Sequence, residues 1–466
     1  MQKFGTIPGV YISEIENPAA TINAPTLRKV GVIGRSIGTL TKADIVVTRG
    51  TGTVDDIPGV TPAQITTLHC VSDYMQANGT NLPKYEAGDS KDYTFTTDSQ
   101  ETNYGKIVWN TGKGPAAGAT YYVTITYTKS TTDIVPLTFD NYDAVKAAYG
   151  PEYYMVGNVK TLNEVVVGAK LAFLNGADVV TCLEVLTAGD SAVQSAIDVM
   201  CDTDVIAFVC VPATTATLQE YLMNKVVIAS SIENQKEKIA YVCPAGASTE
   251  AIKTLTVDQI ITQAQGFGEE RIAMMAGPVV TIIAEDATGT SSEFEVPSIY
   301  AACAMIGWHG NNNNTVALPL TRKALSGIYN TKAYKRAEIE KLTRGGVTVM
   351  VMKGDTVVIN QSVTTDVTSY NTAEISVVLI KDEIKRRLRD PLDEQFIGTV
   401  VKKTTGTSIK TAIISILEGM VGTLIIDYDS LKVVQNAIDT TQFDVSFNVT
   451  VCRPLNYINI SFMVNL

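Results

Sequence analysis

The sequence predicts an α/β core, a mixed and largely parallel sheet with helices, joined to an α+β C-terminal region and carrying a small inserted all-β module. Three observations carry that expectation. After Pro136, the short apolar runs DVVTCLEV, VIAFVCVP, KIAYVCPA and RIAMMAGP alternate with stretches of helical period, the pattern of βαβ units. Between residues 50 and 132 the composition shifts to Thr, Tyr, Gly and Asp, in runs of period two closed by turn residues. Beyond residue 373, two helical stretches lead into alternating strands.

Residues 1–28 hold Pro8, Pro18 and Pro25 and no helical periodicity, so they read as an extended arm. Lys29 to Gly34 (KVGVIG) is a short apolar run closed by glycine, a buried strand. The core takes residues 29–49 and 133–372, interrupted by the module at 50–132. Within the module, Tyr121, Val123, Ile125 and Tyr127 alternate with Tyr122, Thr124, Thr126 and Thr128, and GKGPAAG supplies a turn between two strands, which together predict a sandwich-like unit. FDNYDAVKAAYG reads as a helix with Asp140 near its start and Gly150 at its end, and Leu162 to Leu174 as another closed by Asn175-Gly176. Further helices are expected at about Ser191–Met200, Thr217–Asn234 and Thr249–Gln265. VTVMVMKGDTVVINQ is a hairpin turned at Lys353-Gly354-Asp355. In the 373–466 region, Val377, Ile380, Ile384 and Leu388 make the apolar stripe of a strong helix, and SIKTAIISILEGMVG is a second helix ended by glycine. FDVSFNVTV and YINISFMVNL read as strands. The second strand, with Ile458, Ile460, Phe462, Val464 and Leu466 on one face, needs a sheet partner in the chain or on a neighbour.

The 37 Lys+Arg against 48 Asp+Glu, a formal net charge of −11, argues against a nucleic-acid binder held by phosphate contacts. A hydrophobic share of 45% with 18% charged residues reads as folded rather than disordered. Two histidines, His69 and His309, leave few general bases or metal ligands. The seven cysteines are scattered and never spaced CxxC, which predicts neither a zinc site nor a disulfide framework and points to a reducing compartment. The N-terminus lacks the apolar segment of a secretory signal. The longest uncharged apolar stretch, Ile272 to Ala284, falls well short of the ~20 residues a spanning helix needs, so no direct membrane insertion is expected.

One catalytic pattern calls for weighing. GRSIG, Gly34 to Gly38, matches GxSxG after a strand, and a serine hydrolase built on it would take Ser36 as nucleophile, His309 as base and a carboxylate such as Asp286. A nucleophile elbow demands a helix next, whereas Ser36 is followed by a β-like stretch with Thr39 and Thr41, and His309 lies in GWHGNNNN, which reads as a turn. A glycine-rich loop after a core strand is the better reading. No phosphate-cradling glycine motif occurs, and the adjacent His69-Cys70 makes a poor chelate, so no cofactor and no metal is expected. In an acidic chain one basic feature stands out. Lys381, Lys385 and Arg389 recur at i, i+4 and i+8, with Arg386 and Arg387 beside them, partly offset by Asp382 and Glu383.

The opening Pro8-Gly9-Val10-Tyr11-Ile12, the proline-punctuated arm and KVGVIGRSIG resemble the start of contractile tail sheath proteins of bacteriophages and related contractile injection systems. LTFDNYDAVKAAYG, GAKLAFLNGADVVTCLEV, the small-residue segment EVPSIYAACAMIGWHGNNNN entering a Gly-Trp turn, and the region from Ala373 to Leu466 are similar to that family in order, with HGNNNN departing from its usual turn. The resemblance implies a non-enzymatic subunit that polymerises as stacked, usually hexameric, rings around an inner tube and contracts to drive the tube through an envelope. It implies partners in the chain itself, the tube protein, and baseplate and tail terminator proteins. It implies assembly in the bacterial host cytoplasm, as part of a phage tail or a released bacteriocin-like particle. It also makes Lys381, Lys385, Arg386 and Arg389 candidates for tube contact, and Val10, Tyr11, Ile12, Ile458, Ile460, Phe462 and Val464 candidates for strand exchange between subunits. A non-contractile shell or adhesin protein is the remaining structural alternative.

Overall fold

Val30–Arg35 (β1) is buried through Gly34 and lies inside the main sheet. The computed structural model describes residues 27–73, 84–129, 135–187, 189–456, 458 and 460–463, without the side chains of 40–44. After β1 the chain leaves the sheet for a β module of β2 (Thr39–Thr48), β3 (Val54–Asp55), β4 (Ile65–Ser72), β5 (Tyr93–Thr94), β6 (Ile107–Trp109) and β7 (Thr120–Thr128). β7 pairs antiparallel with β2 and β4, and β6 with β3 and β5. Tyr121, Val123 and Ile125 are buried while Tyr122, Thr124 and Thr126 are half-buried, so the period of two sorts one face of β7 into a core shared with Val47, Val71, Ile107 and Trp109. Inside that core the Asp55 carboxylate accepts from Trp109 Nε1 at 2.8 Å and from the Tyr121 hydroxyl at 2.9 Å. The first module strand begins at Thr39, inside the 29–49 stretch read from sequence as core.

The chain then runs through β8 (Leu137–Phe139), α1 (Tyr142–Tyr149), the hairpin β9 (Tyr153–Val156) and β10 (Val159–Leu162), α2 (Glu164–Leu174), β11 (Val180–Val185), α3 (Asp190–Asp202), β12 (Ala207–Cys210), α4 (Ala216–Ala229), β13 (Ile239–Val242), α5 (Thr249–Lys253), α6 (Val257–Phe267) and β14 (Ile272–Met275). Next come β15 (Val279–Glu285) and β16 (Ser291–Pro297), paired antiparallel, then α7 (Ile299–His309), β17 (Asn330–Thr331), α8 (Arg336–Arg344), and the hairpin β18 (Val347–Lys353) and β19 (Thr356–Gln361). The main sheet has the order β19-β18-β14-β13-β12-β1-β11-β8. Its inner strands are parallel and its two edge strands antiparallel, the mixed, largely parallel sheet with helices that the alternating runs predict. Strands β11, β12, β13 and β14 are buried at every residue, as a sheet covered on both faces requires. From β1 the chain steps to β11 on one side, then crosses to β12, β13 and β14 on the other, so the direction of winding reverses between β1 and β12.

Several elements differ from the sequence reading. The single helix expected at Thr249–Gln265 is two, because Thr256 starts a new one: its hydroxyl accepts from Gln259 N at 3.3 Å while the Gln259 side chain accepts from Thr256 N at 2.9 Å. The turn expected around Gly307-Trp308-His309 is the last turn of α7, whose residues from Ile299 to Ile306 are all buried. A Cβ on Gly307 would stand 2.3 Å from the Ala172 carbonyl oxygen, so glycine here serves close packing of α7 on α2 rather than chain reversal. The Asn311–Asn314 run is a loop fastened by Arg28, whose guanidinium donates to the carbonyls of Asn311 and Asn314.

The described residues divide into two units, one drawn from 28–314, 318–379 and 454–463, the other from Leu27, 315–317 and 380–453. In the second unit lie most of α9 (Ile375–Phe396), then α10 (Thr405–Glu418), β20 (Ile425–Gln435) and β21 (Phe443–Val451). β20 pairs antiparallel with β21 from Ile425↔Val451 to Gln435↔Phe443, with two register shifts. The seven cysteines are free thiols, six of them buried.

Candidate assembly surfaces

The basic stripe lies on α9. Its start is apolar and buried, with Ile375, Val377, Val378, Leu379, Ile380 and Ile384 out of solvent. Opposite charges are built in beside the stripe: Asp382 and Glu383 are both buried, Lys385 Nζ lies 3.9 Å from Asp382 Oδ1, and Arg387 Nε donates to Glu383 Oε1 at 2.7 Å. Lys385 is exposed, while Lys381, Arg386 and Arg389 are half-buried and also engaged in polar interactions. From Lys381 to Arg389 the stripe runs for about 12 Å along the helix axis. Pro391 sits within α9 and lacks the N–H that would bond the Arg387 carbonyl.

The strand-exchange candidates fall into two groups. Val10, Tyr11, Ile12 and Val464 lie outside the described residues. Ile458, Ile460 and Phe462 are 73%, 81% and 84% exposed, together with Leu455 and Met463. The strand expected for YINISFMVNL is not formed among its described residues, where no described segment supplies a ladder of hydrogen bonds. At its base, Asn456 Nδ2 donates to Glu374 Oε1 at 2.8 Å. The ribbon of β20 and β21, by contrast, pairs with no further strand among the described residues and keeps only Ile425 buried.

The hydrolase constellation does not assemble. Ser36 Oγ donates to the Glu184 carboxylate, which also accepts from Lys129 Nζ at 2.8 and 3.1 Å. His309 Nε2 shares a hydrogen bond of 2.6 Å with the Tyr241 hydroxyl, and burial, with Arg28 nearby, pulls the imidazole down to about 3, so it is neutral at pH 7. Asp286 is taken up by Thr288 and Thr290 in its own turn, which holds its carboxyl below the usual range. Each of the three residues has structural partners of its own. The Ser36–Glu184–Lys129 cluster escaped the sequence reading. Its one signal was the glutamate inside DVVTCLEV, since a carboxylate in a fully buried strand demands a cation.

No group of three or more His, Cys, Asp or Glu side chains able to hold a metal occurs among the described residues, and no described helix is long and apolar enough to cross a membrane. No protein-family model matches the sequence. Over 335 residues, 70% of the chain, it is 28% identical to the tail sheath protein of Mycobacterium phage Bxz1. The chain is similar to contractile tail sheath proteins. It is also 27% identical over 172 residues, 36% of its length, to the tail sheath protein of Bacillus phage SP01. These matches span 55% and 30% of the relatives' own lengths, so the chain matches about half or less of each sheath protein. Among solved structures, the helical sheath of the anti-feeding prophage in its contracted state shares the fold, with a TM-score of 0.53 and 14% identity over 72% of this chain and 89% of that one.

Proposed function

We propose that the chain is a structural, non-enzymatic subunit of a contractile tail sheath. It polymerises as stacked rings, hexameric as the family resemblance implies, around an inner tube, joins a baseplate and a terminator at the ends, and contracts to drive the tube through a target envelope. The similarity to the phage tail sheath proteins carries this reading, and the β module at 39–128 is read as an insertion in the sheath core. The surfaces support it. The exposed alternating side chains at Ile458, Ile460 and Phe462 suit addition as a strand to a neighbouring sheet, and the ribbon β20–β21 has open edges to receive one. Main-chain bonds so formed contribute about 1 kcal/mol each and act in parallel along a lattice. Val10, Tyr11 and Ile12 are assigned the same role in the arm. The stripe Lys381, Lys385, Arg386 and Arg389 is assigned to the tube, where surface charge contacts, about 0–1 kcal/mol each when solvent-exposed as Lys385 is, give a grip that can release.

Negative-stain electron microscopy of the expressed protein tests the reading. Striated tubes are expected from the full chain, and folded, unpolymerised subunits after deletion of residues 455–466. Replacing the four basic residues by Glu should reduce assembly on tubes and spare tube-free polymers. Tubes undiminished by the deletion would remove the strand-exchange assignment, and a full chain that never forms striated polymers would remove the sheath reading.

A further inference from the structure

An open cleft of about 400 Å³ lies where the winding of the main sheet reverses, at the carboxyl ends of β1 and β12. In open α/β sheets this crevice is where ligands bind, since adjacent loops leave the sheet in opposite directions there and part to make room. Arg35 enters from the end of β1, Lys160 from β10 and Tyr300 from the first turn of α7.

The charges on its walls are unevenly matched. Glu295 is taken by Lys253 at 2.6 Å. Glu164 accepts from the Arg35 backbone N–H at 2.8 Å, and its other oxygen stands 3.7 Å from Arg35 Nη1. Arg35 Nε is buried with no acceptor. Lys160 Nζ meets only a hydroxyl, Ser292 Oγ at 2.8 Å, and the face of Tyr153, with no carboxylate among the described residues. The Tyr300 hydroxyl makes no hydrogen bond among the described residues, and burial holds the phenol protonated, so it is a donor. Two under-partnered cations and a free donor around one cleft, in a chain of net charge −11, are an arrangement that neither packing nor solubility calls for.

We propose that this cleft is a binding site for a small free oxyanion of the phosphate class, held by Arg35 and Lys160 with Tyr300 donating. The proposal does not depend on the sheath reading. Isothermal titration calorimetry of the full-length, unpolymerised protein with inorganic phosphate, at ionic strength matched by sodium chloride, tests it, alongside ³¹P line broadening. The expected result is saturable one-site binding, weakened tenfold or more by Lys160→Met and by Arg35→Met. Lys160 contributes no ion pair, so Lys160→Met folds and decides the question even where Arg35→Met, which strips Glu164 of its cation, does not. Absence of saturable heat, or an affinity unchanged in Lys160→Met, overturns the proposal.

Discussion

The β module at 39–128 and the ribbon at 425–451 are both antiparallel, each has one strand of clear alternation, β7 and β21, and they end in opposite situations. The module folds two three-stranded sheets around one core, seals Trp109 to 2% exposure, and satisfies the indole and a tyrosine hydroxyl on a single buried aspartate. Among the described residues the ribbon has no second layer over most of its length: Ile426, Val434 and Val445 are exposed, and Ile438 at its turn is 98% exposed. An isolated two-stranded ribbon is marginal in water, whereas three strands with a buried face are not. Alternation therefore specifies a strand without specifying where its partners come from. The module carries its own; the ribbon pairs with no further strand among the described residues.

That contrast can be broken at its strongest point first. Trp109→Ala should cost the module about 3–5 kcal/mol, seen as loss of hydrogen-exchange protection in β2, β4 and β7 while β12 and β13 keep theirs. Equal loss in both regions would mean the module has no stability of its own. Next, Lys129→Met leaves Glu184 buried with only Ser36 for company and should cost about 3 kcal/mol, read from urea unfolding. Adding Glu184→Gln should recover most of it, because the uncompensated charge is then gone. Since Ser36 precedes β2 and Lys129 follows β7, this cluster ties both ends of the module to β11, and the single variant should loosen the module's seat without opening its core. The smallest effect belongs to the ribbon: Ile438→Ser should change the stability of the unassembled subunit by less than about 0.5 kcal/mol, and a larger shift in urea midpoint would show that the ribbon is packed.

The sequence made the main sheet legible because its strands are unbroken apolar runs between glycine-closed helices, as in VIAFVCVP and KIAYVCPA. β7 was legible down to its faces. β20 was missed because IIDYDSLKVVQ loses its period at two register shifts, with Ser430 at φ +59°, so neither helical nor strand spacing survives across it. The tail from Ile458 keeps a regular alternation, but alternation does not say which strand it pairs with, and no described segment pairs with it. Of the candidate surfaces, the α9 stripe could be read from spacing alone, while its buried Asp382 and Glu383 could not, because burial of a charge depends on tertiary neighbours that period does not encode. The cleft was invisible for the same reason: Arg35, Lys160 and Tyr300 come together only through the topology of the sheet.

The distribution of thiols has a practical side. Burial pushes Cys201 up to about 11 and Cys243 up to about 12, and Cys70, Cys182, Cys210 and Cys303 are sealed in the interior with them. Cys452 alone is half-buried, one residue past β21, where ribbon becomes tail. Nature has thus left the native chain with a single address for a maleimide fluorophore. That address stands beside the segment assigned to neighbouring subunits, so a dye there would report, by its colour and anisotropy and with no engineered cysteine, the moment one subunit takes hold of the next.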